Sequence, residues 1–140
     1  MKRIEDIKNE AIGIGACCRV EDMTDYPHLA ELFFSAQGRE FCERKNFPSI
    51  EHFRAIKADV KPHNIFVDAG DIYIANTHKI ALIGSTHATI KARGVKAVHL
   101  IMLMHGATAV IDAAEYAVIK VVNISGGDVT INNDITTRIL

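Results

Sequence analysis

Cysteine and proline are scarce, at three residues each, and neither occurs after Pro62. The cysteines are Cys17, Cys18 and Cys42. An odd number, with no apolar leader in Met1-Lys-Arg-Ile-Glu-Asp-Ile-Lys, points to reduced thiols and a cytoplasmic protein. Adjacent Cys17-Cys18 is not a CxxC pair and has no matching Cys/His pair for zinc, so all three read as structural thiols. No stretch approaches the ~18 consecutive apolar residues of a membrane span. Charge of one sign is missing too. Residues 1–62 carry 10 basic and 11 acidic side chains, and residues 63–140 carry 6 of each. Neither half is a basic patch, so nucleic acid is not an expected partner, and neither is a membrane. The sequence also lacks GxSxG, P-loop, GxGxxG, EF-hand and HExxH patterns.

What is present is a repeat. An apolar strand, a Gly/Ser/His-containing turn and an alternating strand recur as Phe66–Ile74, Leu82–Ile90, Leu103–Ile111 and Val122–Ile131. Aligning Ile72, Ala88, Ala109 and Val129 gives steps of 16, 21 and 20 residues. A period near 20 marks stacked coils, because one unit cannot bury its apolar face alone. The alternation points Ile72/Ile74, Ala88/Ile90, Ala109/Ile111 and Val129/Ile131 inward, and Tyr73, Thr89, Val110 and Thr130 outward. Lys91 then lies one coil from Asp112, and Asp71, His87, Thr108 and Asp128 form a column at the turns. Gly70, Gly84, Gly94, Gly106, Gly126 and Gly127 fall at corners, where positive φ is often required. A fainter six-residue rhythm (Ile83, Thr89, Val95, Ile101) hints at a left-handed hexapeptide helix.

The first half has helical periodicity. Ile4, Ile7, Ala11 and Ile14 make one stripe, whose end Gly13 and Gly15 weaken; Gly13-Ile-Gly15 reads as a helix-end loop rather than a phosphate cradle. Asp25 can cap a second helix with Pro27 in its first turn, along the stripe Leu29, Leu32, Phe33 and Ala36. Gly38 interrupts or bends it before Phe41-Cys42 carries it toward Asn46. Ser49 can cap a third helix lined by Ile50, Phe53 and Ile56, and Asp59–Asn64 is a polar connector. The expected fold is therefore α+β: residues 1–62 a helical N-terminal cap, residues 63–140 a short β-solenoid of about four coils. Apolar-turn-alternating units also describe hairpins, so an antiparallel β-sandwich or barrel is the alternative.

Seven histidines are many for 140 residues: His28, His52, His63, His78, His87, His99 and His105. No pair sits as HxH. His87 is placed on a turn, and a bend between His99 and His105 would separate them. The adjacent carboxylates Glu5-Asp6 and Glu21-Asp22 point in different directions and read as solvated pairs. No catalytic residue stands out and no cofactor is implied; the candidate ligand-binding residues are Tyr73, His87, His99 and His105, and a metal ligand set is left undetermined.

Three segments carry a resemblance: Gly38–Arg54, Asn64–Gly70 and Leu103–Ala109. Across roughly residues 25 to 132 the chain resembles small uncharacterised proteins of gut Bacteroidetes and their prophages, which have a helical front and a β-repeat back. That resemblance implies a phage-associated protein acting in the cytoplasm of a bacterial host. The expected function is non-enzymatic binding, of a small host signal or a host protein, by a homo-oligomer. Two alternatives stand beside it: an assembly component of a phage particle, and a metal-dependent enzyme using His87, His99 or His105 between subunits.

Overall fold

The structure is a computed structural model describing residues 3–15, 23, 25–94 and 97–140. Cys17, Cys18, Glu21, Asp22 and Val95 lie outside the described residues. The chain divides into two compact units after Ile65. Among the described residues no helix is long and apolar enough to cross a membrane.

Among the described residues the first unit contains the helices α1 (Arg3–Gly13), α2 (Tyr26–Phe34), α3 (Ala36–Lys45), α4 (Ile50–Ala55) and α5 (Lys57–Val60), followed by a 3₁₀ turn over Lys61–His63. Local chemistry sets their ends. The Asp25 carboxylate accepts the His28 N–H at 2.9 Å, and Ser49 Oγ accepts the His52 N–H at 3.2 Å. Each bond satisfies one of the N–H groups that a helix start leaves orphaned. The break expected at Gly38 lies instead at Ser35, which closes α2 and opens α3. Its hydroxyl donates to the Leu32 carbonyl at 2.6 Å and accepts the Gly38 N–H at 3.0 Å. Gly38 sits inside α3 for a steric reason: a Cβ there would lie 1.8 Å from the Leu32 carbonyl oxygen. The connector expected over Asp59–Asn64 is partly helical, being the end of α5 and the 3₁₀ turn. Leu29, Phe33, Phe53 and Ile56 are buried, with Phe33 and Phe53 packed edge-on at 5.8 Å between centroids.

The second unit is a β-solenoid of about four coils, as the repeat requires. Its strands among the described residues are β1 (Ile65–Val67), β2 (Gly70–Ala75), β3 (Lys79–Ile83), β4 (Thr86–Arg93), β5 (His99–Met104), β6 (Thr108–Ala114), β7 (Val118–Asn123), β8 (Val129–Asn133) and β9 (Arg138–Ile139). Odd strands form a five-stranded sheet in the order β1-β3-β5-β7-β9, and even strands a four-stranded sheet in the order β2-β4-β6-β8. The ladders β2–β4, β4–β6, β6–β8, β3–β5, β5–β7 and β7–β9 are all parallel. Consecutive strands therefore belong to different sheets, which removes the hairpin alternative.

The sequence alignment is the structural register. Ile72 pairs with Ala88, Ala88 with Ala109 and Ala109 with Val129. Ile74, Ile90, Ile111 and Ile131 form one inward column, facing Ile80, Leu82, Ile101, Leu103 and Ile119 from the other sheet. Small residues (Ala88, Ala92, Ala109, Ala113) alternate with isoleucine along the four-stranded sheet, so the two sheets interdigitate. The run Leu100–Met104 is a strand buried along its whole length. The six-residue rhythm does not survive: each coil has two strands rather than three short faces, and Ile101 faces the core whereas Thr89 faces outward.

The corners use two devices. Gly70, Gly84, Gly94 and Gly106 do have positive φ. Gly126 and Gly127 do not, and are required by close approach instead: a Cβ on Gly126 would meet the Leu103 Cβ at 2.6 Å. Buried Thr86 ties the first corner, its Oγ1 accepting the Ala69 N–H at 3.1 Å and lying 2.8 Å from the Ile83 carbonyl. Asp68 at the same corner accepts the Ser85 N–H, and Ser125 at a later one accepts the His105 N–H.

Candidate functional site

A β-strand turns alternate side chains to one face, and parallel strands about 4.8 Å apart place equivalent residues in rows across that face. On the outer face of the four-stranded sheet the rows follow from the register. Asp71, His87 and Thr108 form the first, continued by Asp128 just before β8. Tyr73, Thr89, Val110 and Thr130 form the second, and Ala75, Lys91, Asp112 and Asn132 the third. Nearly every member is exposed, Thr108 being half-buried. Tyr73 is 64% exposed and Val110 43%, large apolar surfaces on a flat sheet.

Two of the expected site residues, Tyr73 and His87, share this face. His87 is not on a turn: the ladder starts at Gly70 and Thr86, so His87 is the second residue of β4. Its Nδ1 and the Thr108 Oγ1 are hydrogen-bonded at 2.7 Å. Asp71, His87 and Thr108 thus bring carboxylate, imidazole and hydroxyl into one row. Nucleophilic catalysis would also need N–H donors aimed at a developing oxyanion. The neighbouring backbone N–H groups are committed to the ladder, so the row is suited to holding a ligand's polar groups.

His99 and His105 lie elsewhere. His99 opens β5 with its side chain toward the core and is 1% exposed; His105 follows the other end of β5 at a corner, with φ of 57°. The bend that the sequence left open is there. His87, His99 and His105 do not converge, and among the described residues no three His, Cys, Asp or Glu side chains are grouped to hold a metal ion.

Lys91 and Asp112 are in register, yet the Asp112 carboxylate pairs with Arg93, at 3.4 Å from Nη2. Arg93 Nη1 donates to the carbonyls of Ala92 and Asp112, both at 2.8 Å, and its Nε lies 3.4 Å from Glu115. A guanidinium holds several acceptors at once where an ammonium is a point charge, which favours Arg93 over Lys91 as the partner. At the far corner the hydroxyl of Thr136 donates to Asp134 at 2.6 Å and holds its carboxyl below the usual range, helped by Thr137.

Sequence reasoning passed over His78. Its ring lies 4.6 Å from that of His99, centroid to centroid, at 34°. The signal was present: His78 and His99 are 21 residues apart, the same step as Ala88 to Ala109. No family model matches this chain, and neither curated proteins nor solved structures yield a match.

Proposed function

We propose that this chain is a non-enzymatic binding protein whose contact surface is the outer face of the four-stranded sheet, and that its ligand is a host protein. The observation that carries this reading is the exposure of Tyr73 and Val110 in one row of a regular face, with Thr89 between them. Small ligands favour concave sites that enclose them, whereas a flat ladder offers area to a macromolecule. Polar groups at fixed spacing (His87, Thr89, Thr108, Thr130) supply directional contacts around the apolar pair. Asp71, Asp112 and Asp128 offset Lys91 and Arg93, so the face is no basic stripe for nucleic acid. The resemblance to prophage-borne proteins supports a phage-associated setting in a bacterial cytoplasm.

Pull-down from host lysate tests this with the wild type and with Val110→Lys, whose outward side chain leaves the core untouched. A partner held by the wild type and lost with Val110→Lys is the expected outcome. No partner, or one held equally by both, overturns the reading.

A second reading, assembly of copies into a homo-oligomer, is favoured by a different observation. Ile135 is fully exposed, Ile139 and Leu140 are exposed, and β8 and β9 are the outermost strands of their sheets. Such a surface suits a particle component.

A further inference from the structure

We infer that the corner where β3 and β5 begin binds a borderline transition-metal ion of the Zn²⁺ class through Nδ1 of His78 and Nδ1 of His99. The solenoid register creates the pair. Lys79 is opposite Leu100, so His78 and His99 are neighbours in one column, with the Leu100 N–H bonded to the His78 carbonyl at 2.7 Å. Their rings overlap at 4.6 Å.

The protonation pattern follows from the contacts. His99 Nε2 lies 3.3 Å from the Arg93 carbonyl oxygen, which can only accept. Nε2 therefore carries the proton, and Nδ1 keeps its lone pair. Among the described residues that nitrogen is buried with no hydrogen-bond partner, and the same holds for Nδ1 of His78. Buried polar atoms are nearly always satisfied, and an orphaned one calls for a water or an ion. Two side by side, one on an imidazole whose other nitrogen donates to a backbone carbonyl, match the arrangement that orients metal-binding histidines.

The surroundings admit a cation. An open recess of about 340 Å³ is lined by His78, Arg93, Gly94 and Glu115. Arg93 brings a positive charge to this recess, and the carboxylates of Asp112 and Glu115 offset it. Two imidazoles select for Zn²⁺, Cu or Ni²⁺ and against Ca²⁺ and Mg²⁺, which take oxygen ligands. Zn–N bonds of about 2.0–2.1 Å at a tetrahedral angle set the two nitrogens about 3.4 Å apart. With ring centroids 4.6 Å apart, rotation of the half-buried His78 side chain is what would bring its Nδ1 to that separation. Two protein ligands leave the remaining positions to water.

The test uses the full chain without a histidine tag, stripped with EDTA and titrated with ZnCl₂, and with CoCl₂ for its visible absorption. One equivalent should bind, with Tm rising by roughly 5–10 °C at a hundredfold excess over Kd, and CaCl₂ and MgCl₂ should have no effect. His78→Phe keeps the ring stack and removes the nitrogen, so it should lose both the equivalent and the shift, while His87→Ala should retain them. A wild type that binds no stoichiometric Zn²⁺, or a His78→Phe variant that binds it equally well, overturns the site and leaves the two nitrogens to water. Should His78→Phe fail to fold, nitrogen NMR of the wild type decides: both Nδ1 resonances must move on adding Zn²⁺, and unmoved resonances overturn the proposal.

Discussion

Cys42, on α3, borders an apolar cavity of about 70 Å³ lined also by Ile7, Ala11, Leu29, Phe33 and Phe41. Burial pushes its thiol up to about 12, because a thiolate there would be stripped of water. The folded state thus favours the neutral thiol. Its contribution to stability is fully present below the ordinary thiol value of 9.0 and is lost as pH rises through the folded value. Since the thiolate is the nucleophile, Cys42 should stay unmodified by iodoacetamide at pH 8 in the native protein and react after unfolding in urea. Mapping of the Cys42 peptide by mass spectrometry reads this, and prompt labelling of the native protein would contradict it. The same scale explains Gly38 and Gly126, each placed where another atom occupies the space of a Cβ. Neither was legible as such in the sequence, because a glycine needed for close approach looks the same as one needed for a turn.

At the level of elements, each strand of the solenoid stands on the equivalent strand one coil earlier through a column of matched side chains. Ile111 is fully buried in the middle of its column, between Ile90 and Ile131. Ile111→Ala would leave a cavity that stacked neighbours on both sides cannot collapse into, and should cost about 2–5 kcal/mol in urea denaturation. A loss under about 1 kcal/mol would mean the coils slide to fill the space, which a ladder fixed on both sides should resist. The register behind this argument was legible because strands repeat every two residues and coils about every twenty, and both periods show in Ile72, Ala88, Ala109 and Val129. The α2–α3 break was not. Ser35 and Gly38 are both plausible stops, and only the hydrogen bonds of the Ser35 hydroxyl put the break at Ser35.

For the molecule as a whole, the last coil is the least covered part of the core. Its inward residues Val129 and Ile131 are only half-buried, whereas Ala109 and Ile111 one coil earlier are buried. With β8 and β9 each leaving one edge unpaired beside exposed Ile139, the surface has what edge-to-edge association requires. Light scattering at micromolar concentration should give a multiple of the monomer mass, and Ile139→Lys should shift it toward the monomer. A wild-type monomer would remove the homo-oligomer from the account and leave the sheet-face reading standing.

The sequence by itself determined the class of fold, the division into helical and repeat parts, the coil register and the inward and outward sides of each strand. These depend on periodicity, and periodicity is written directly in the order of apolar and polar residues. Tertiary structure alone decided which side chains meet across coils: Arg93 rather than Lys91 with Asp112, the His87–Thr108 bond, the Ser35 break and the stack of His78 on His99. Those pairings depend on side-chain reach, ring orientation and corner geometry. A linear pattern specifies the row in which a residue stands, and only the folded chain fixes which neighbour in that row it touches.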